Sequence, residues 1–269
     1  MNKKIGFIGC GNMGSAMALG ILKSGISTKE NIIASCSREE SAKRIREELG
    51  VKTTLDNKEV CKESDIIFLA VKPYMYEKVI KEIRDFVNLD KIIVTIAAGI
   101  DLKDVEGWFN KDTKVVKTMP NTPALVGEAM SAICPNKLLN KEELKLVMDI
   151  FNAFGKSEVL EEKDFHGFIA LCGSSPAYVY MFIEAMADAA VLTGMPRAQA
   201  YKFAAQSVYG AAKMVLETGK HPGELKDMVC SPGGTTIEAV KTLEECGFRN
   251  AVIQGQVDCV QKSIDMANK

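Results

Sequence analysis

Along the first 160 positions, short apolar runs alternate with longer segments whose apolar residues recur at helical spacing. Strands buried on both faces read as continuous apolar runs, and amphipathic helices as i, i+3, i+4 patterns. Residues 3–8, 31–35, 52–55, 65–71, 91–97, 114–118, 131–134 and 157–160 are therefore expected to be strands. Between them, helices are expected over 15–23 with a stop at Gly25, from the capping-box spacing of Ser37 and Glu40 to Leu49 before Gly50, and near 58–63. Three more are expected over 74–86 after the Lys72-Pro73 break, over 102–109, and over 141–154 with Asn140 as cap. Strand–helix alternation of this kind implies a doubly wound parallel sheet. Beyond Glu161 the pattern changes. Residues 176–193, 197–218, 236–246 and 250–268 read as helices, separated by Gly194, Gly219, the Pro232-Gly233-Gly234 turn and Gly247. The expected fold is α/β: a doubly wound parallel sheet over 1–161, then an all-α domain over 162–269.

Composition narrows the function. A length of 269 residues suits one large domain or two ordinary ones, and a net charge of -1 offers no electrostatic footprint for nucleic acid. The eight cysteines form no C-x-x-C pair, and His166 and His221 are the only histidines, so no metal site is expected. Reduced thiols and a polar start, Met1-Asn2-Lys3-Lys4, point to a cytoplasmic protein without a signal peptide. The longest apolar stretch, 177–194, carries Glu184 and Asp188 on one helical face. An acid near a bilayer centre costs on the order of 2.5–3.5 kcal/mol on insertion scales, so a buried helix and no membrane partner are expected.

The chemistry starts at the first strand. After Ile8 comes Gly9-Cys10-Gly11-Asn12-Met13-Gly14, a G-x-G-x-x-G turn between strand and helix. Gly9 permits the tight turn, Gly11 lets backbone approach a pyrophosphate, and Gly14 lets helix and strand pack closely. The second strand ends Ser35-Cys36-Ser37-Arg38, without the acid that usually holds an NAD ribose. Ser37 and Arg38 suit a 2′-phosphate, so NADPH is the expected cofactor, with NADH the alternative. Ala70, Ala97 and Ala98 lie at strand ends on the carboxyl edge, where small residues admit a flat nicotinamide ring. In the helical half, Ser231-Pro232-Gly233-Gly234-Thr235-Thr236 gathers N–H and O–H donors at a helix start. Such a set suits a small carboxylate, and equally well an ordinary capped helix.

Taken together these stretches resemble the pyrroline-5-carboxylate reductases over essentially the whole chain. The residues that carry the likeness are 7–14, 69–73, 96–100, 119–123, 173–178, His221-Pro222-Gly223-Glu224-Leu225-Lys226-Asp227 and 231–237. The resemblance implies NAD(P)H-dependent reduction of 1-pyrroline-5-carboxylate, a cyclic imine carboxylate, to L-proline. It implies a Rossmann domain followed by a helical dimerisation domain that interlocks into a homodimer, often assembled further. Cofactor contacts would come from Ile8, Gly9, Cys10, Gly11, Asn12, Met13, Gly14, Asn57, Ala70, Val71, Lys72 and Pro73, with Ala97 and Ala98 by the nicotinamide. Substrate would be held by Ser231, Gly233, Gly234, Thr235 and Thr236, with Glu162 a further candidate and the Thr236 hydroxyl orienting the reacting nitrogen. Two residues depart from the family pattern: Ser175, where glycine is usual, and Met228, where many relatives carry a polar residue. The rivals are a β-hydroxyacid dehydrogenase, which needs a lysine near Ser175-Pro176, and an NADPH-binding redox sensor without turnover.

Overall fold

In the computed structural model, which describes residues 1–267, the apolar runs become strands and the segments between them helices. The order is β1 (Ile5–Ile8), α1 (Asn12–Lys23), β2 (Ile32–Ser35), α2 (Glu39–Leu49), β3 (Lys52–Thr54), α3 (Asn57–Glu63) and β4 (Ile66–Leu69). Then come α4 (Tyr76–Ile83), β5 (Ile92–Thr95), α5 (Leu102–Phe109), β6 (Lys114–Met119), β7 (Ala129–Pro135), α6 (Lys141–Asn152) and β8 (Gly155–Val159). One eight-stranded sheet results, ordered β3-β2-β1-β4-β5-β6-β7-β8. All neighbours pair in parallel except β6 and β7, so the expected parallel sheet contains one antiparallel step. Its cause is local: only the Pro120–Glu128 connection, with a 3₁₀ turn at Thr122–Val126, separates the two strands. A parallel return needs a crossover of a dozen or more residues.

Side chains of successive strand residues point to opposite faces, and the core follows that period of two. Ile5, Phe7, Ile66, Phe68, Ile92 and Val94 pack on one face with α1 and α6 residues. Ile8, Ile67, Leu69 and Ile93 pack on the other with α3, α4 and α5. Phe7 stacks on Phe68 at 4.8 Å, and Phe151 and Phe154 of the α6 region continue the cluster. Full burial of each such side chain stabilises by about 1.5–3 kcal/mol. Capping is mixed. Asn140 and Glu143 form a capping box for α6, and Gly50 ends α2 at φ +69°. The capping box expected at Ser37 is not made; the N-cap of α2 is Arg38, with no side-chain cap.

The remaining elements are α7 (Phe165–Phe168), a π-helical turn at Ile169–Ser174, α8 (Ser175–Leu192), α9 (Arg197–Thr218), α10 (Pro222–Val229), α11 (Thr235–Glu245) and α12 (Phe248–Ala267). Neither α7 nor α10 is foreseen by the apolar pattern. The expected end of the last helix, Asn268, lies outside the described residues. Two compact units emerge, Met1–Gly173 with the chain from Cys259 onward, and Ser174–Asp258. The first, the sheet unit, takes in α7 and the last turns of α12 as well as the strands. Within the second, the helical unit, α8 packs along α9, and among its described residues only Ala187, Ala200 and Ala204 are buried. The buried helix expected at 177–194 is thus bare on most of its surface: Met181 is 68% exposed and Leu192 88%.

Candidate active site

Strand order reverses between β1 and β4, and open α/β sheets bind ligands at the carboxyl ends of strands beside such a switch. A cleft of about 840 Å³ lies there. Its lining brings together Gly9, Cys10, Gly11, Asn12, Met13, Ser37, Asn57, Ala70, Val71, Lys72, Pro73, Ala97 and Ala98 of the expected cofactor residues.

The glycine turn is built for close approach. Gly9 has φ +80°, and a Cβ there would meet Val71 Cγ1 at 2.7 Å and the Ala70 carbonyl oxygen at 3.0 Å. A Cβ on Gly14 would press on the Gly9 carbonyl at 3.1 Å. At Gly11 a Cβ would meet nothing within 4 Å, because that Cα faces the open cleft. Gly11 is also the N-cap of α1, which has no side-chain cap and no acid in its first turn. Its leading N–H groups, which no helical carbonyl can satisfy, are left to an anion. This donor set fits a dinucleotide pyrophosphate.

The walls are held by hydrogen bonds. Gly9 N–H donates to the Ser35 carbonyl at 3.1 Å, and Ser35 Oγ donates to Asn57 Oδ1 at 2.7 Å, fixing the Asn57 amide beside the turn. Tyr76 is fully buried; its hydroxyl donates to the Leu69 carbonyl at 2.5 Å and accepts from Ile96 N–H at 3.2 Å. It thereby ties the ends of β4 and β5 together, and burial pushes its phenol well above the ordinary range. Burial likewise raises the Cys10 thiol to about 11, against a hydrogen bond from Ser15 and the nearby charge of Arg44. Cys10 is a neutral thiol at physiological pH, a packing residue and not a nucleophile.

Several expected cofactor residues stand elsewhere. Ile8 is wholly buried in the sheet and Gly14 packs behind the turn, so both support the cleft without lining it. Arg38 is exposed at the start of α2 and lies outside the lining. Glu162 is occupied: its Oε1 accepts from Lys117 Nζ at 2.9 Å and from Leu102 N–H at 2.8 Å. Lys117, 7% exposed, also donates to Asp101 at 2.7 Å and lies 5.1 Å from the Phe165 ring centre. The group joins β6, the start of α5 and the approach to α7. Conversely, Ser41, Arg44, Tyr74, Met75, Met119 and Pro120 line the cleft without having been anticipated as cofactor contacts. Ser41 and Arg44 carry a faint sequence signal, since residues three apart share a helix face.

The substrate candidates sit in the helical unit. Gly234 is the N-cap of α11, with its N–H bonded to the Ser231 carbonyl at 3.0 Å, and Gly233 adopts φ +67°. A Cβ on Gly234 would strike Ser231 Oγ at 2.3 Å, so glycine is what lets that hydroxyl fold over the helix start. Thr235 and Thr236 are the first two helical residues, and no side chain caps their N–H groups. Hydroxyls of Ser231, Thr235 and Thr236 and the uncapped N–H groups of the first turn therefore sit together at this helix start. Among the described residues no cluster of His, Cys, Asp and Glu is arranged to hold a metal ion.

Residues 162–266 match the family described as pyrroline-5-carboxylate reductase dimerisation, and residues 4–99 the family described as NADP oxidoreductase, coenzyme F420-dependent. The chain is 52% identical over 263 residues to a pyrroline-5-carboxylate reductase of Escherichia coli (strain K12), covering 98% of each. A pyrroline-5-carboxylate reductase structure from Coxiella burnetii superposes with a TM-score of 0.93 at 30% identity, covering 99% of each chain. The Plasmodium falciparum pyrroline carboxylate reductase with NADP bound superposes with a TM-score of 0.89 at 34% identity, covering 99% of this chain and 98% of that one.

Proposed function

The chain belongs to the pyrroline-5-carboxylate reductase family, and we infer from that membership that it reduces 1-pyrroline-5-carboxylate to L-proline, the closing step of proline biosynthesis. The observation that best supports the detailed reading is the presence of two anion cradles at helix starts. One, at α1, opens on a cleft large enough for a dinucleotide; the other, at α11, is an uncapped helix start flanked by three hydroxyl residues, donors suited to a carboxylate. A bound reduced nicotinamide dinucleotide supplies hydride to C5 of the imine. The protein aligns the reactants, a proximity effect with electrostatic help. N–H groups of Gly11, Asn12 and Met13 would hold the pyrophosphate, and Ala97 and Ala98 would leave room for a flat ring beside β5. Ser231, Gly233 and Thr235 take the substrate carboxylate through N–H and O–H donors, and Gly234, whose N–H is bonded to the Ser231 carbonyl, shapes the turn that presents them. Thr236 turns its hydroxyl to the ring nitrogen and orients C5. The imine reacts in its protonated form, and the positive charge on nitrogen is quenched as C5 becomes saturated. No strong acid is needed from the protein, in keeping with a chain that has two histidines and none in the cleft.

The reductant is NADPH in preference to NADH, because the end of β2 offers Cys36 and Ser37 where an NAD site would place an acid. The test is the loss of nicotinamide absorbance when the imine is added to enzyme with either dinucleotide. Higher kcat/KM with NADPH is expected; equal values would remove the preference, and no turnover with either would remove the catalytic reading.

The working enzyme is a homodimer, and each site combines the cleft of one chain with the α11 loop of its partner. The bare face of α8 supports this, since a helix apolar nearly all round must be covered. That stretch, with the turns leading into it, is also apolar and long enough to span a membrane by length and composition. A second chain is the cover we favour, and the eight free cysteines suit a cytoplasmic setting. Complementation tests the sharing. A chain inactivated at Gly11 and one inactivated at Thr236, refolded together, should regain activity. Verified heterodimers without activity would show that each site belongs to one chain.

A further inference from the structure

Two cations line the cleft, Lys72 beyond β4 and Arg44 on α2. Arg44 shares a helix face with Ser41, and that face borders Ser35, Cys36 and Ser37 at the end of β2. The hydroxyls of Ser37 and Ser41 make no hydrogen bond to the described residues. Arg44 has one partner, Glu48 at 3.6 Å, in an i, i+4 pair with both side chains about half exposed. A pair so open contributes little and leaves the guanidinium free to turn. The thiols of Cys10 and Cys36, both raised by burial, are drawn down again by the charge of Arg44, which places that charge beside this end of the cleft. Arg38, the cation nearest β2 in sequence, is exposed outside the lining; Glu39 and Glu40 beside it are exposed as well.

We propose that Arg44, with the hydroxyls of Ser37 and Ser41, is the specificity-determining residue that takes the 2′-phosphate of NADPH, and that Arg38 has no part in it. The inference rests on the NADPH reading above. A guanidinium can grip a phosphate through two parallel N–H bonds, and two serine hydroxyls supply the remaining donors. In this arrangement selection is made one and a half turns into α2, after the position where an NAD site carries its acid.

Calorimetric binding of adenosine 2′,5′-bisphosphate and of 5′-AMP to the intact enzyme tests this without turnover. Wild type should bind the bisphosphate more tightly. Arg44→Ala should lose roughly ten- to hundredfold of that affinity, the worth of a charged hydrogen bond, while 5′-AMP binding stays unchanged. Arg44→Lys should recover part of it, and Arg38→Ala should match wild type. If wild type binds both nucleotides equally, the NADPH reading itself fails. If wild type discriminates and Arg44→Ala still does, or if Arg38→Ala is the variant that stops discriminating, the assignment of Arg44 is wrong and the reading survives. Equal weakening of both nucleotides in Arg44→Ala also overturns it, by moving the guanidinium to the 5′-phosphate. Arg44 is a surface helix residue, so an unchanged circular dichroism spectrum should accompany each result.

Discussion

The two units solve the burial problem in opposite ways. The sheet unit hides Phe7, Phe68, Phe151 and Phe154 within its own layers and has apolar cores on both sheet faces. The helical unit buries three alanines and leaves Tyr180, Met181 and Leu192 largely bare. Both are rich in apolar residues, so composition does not separate them. What differs is geometry. A twisted sheet covered by helices on both sides closes on itself, whereas the helices of the second unit have too few neighbours to close around α8. A self-covering unit can carry a preformed cleft; an open one leaves an apolar face for the second chain proposed above.

The sharpest way to break this contrast is to spoil the bare face. If a partner chain covers α8 as proposed, Met181→Glu would bury an unpaired charge there, at a cost of about 3–5 kcal/mol. Sedimentation should show monomers, and turnover should vanish with the assembly. Wild-type mass in this variant would mean that α8 is not covered by a second chain.

Next in size is a matched pair of truncations. Phe151→Ala opens a cavity in a core that the unit supplies alone, and should cost about 3–5 kcal/mol at any protein concentration. Tyr180→Ala removes a ring that only a partner would bury, so its effect on Tm should grow as the protein is diluted. Equal, concentration-independent losses would erase the distinction.

A smaller effect is expected from Thr236→Val, which keeps shape and removes the hydroxyl. It should lower kcat/KM by about 1–3 kcal/mol and leave NADPH binding untouched, since the cleft lies in the other unit. A matching loss of cofactor affinity would show that the two functions are not divided in this way.

At neutral pH no effect at all is expected from the last test, a pH dependence confined to the sheet unit. Burial raises Cys10 to about 11 and Cys61 to about 12, so the folded unit keeps protons that the unfolded chain releases above about 9. Stability is therefore complete below pH 9 and falls as pH rises toward 11, by up to about 1.4 kcal/mol per unit for each thiol. Urea melts of wild type against Cys61→Ala should show the shallower alkaline decline in the variant. Parallel declines would mean that the Cys61 thiol is not the source.

Much of this was readable in advance, for physical reasons. Ile5–Ile8 and Ile66–Leu69 announced themselves because strands buried on both faces must be apolar throughout, and the Gly9 turn because few residues tolerate its backbone. Pro222 and Gly223 concealed α10, since proline in a first turn looks like a break until the helix after it is seen. The antiparallel step at β7 depended on a short connection and not on any residue's preference. Glu162 entered only as a substrate candidate implied by resemblance, and its ion pair was not legible because Lys117 is 45 positions away. Arg44 was passed over for the cleft lining in favour of Arg38 because distance along the chain stood in for distance across a helix.

The last turns of α12 add a consequence of another kind. Ser263 Oγ meets His166 Nδ1 at 2.9 Å, and the Met266 carbonyl comes within 3.8 Å of where a Cβ on Gly99 would stand. The sheet is finished at Val159, yet its unit includes chain from Cys259 onward. During synthesis the first unit begun is therefore the last one completed, and it waits on the ribosome for the whole helical unit to emerge.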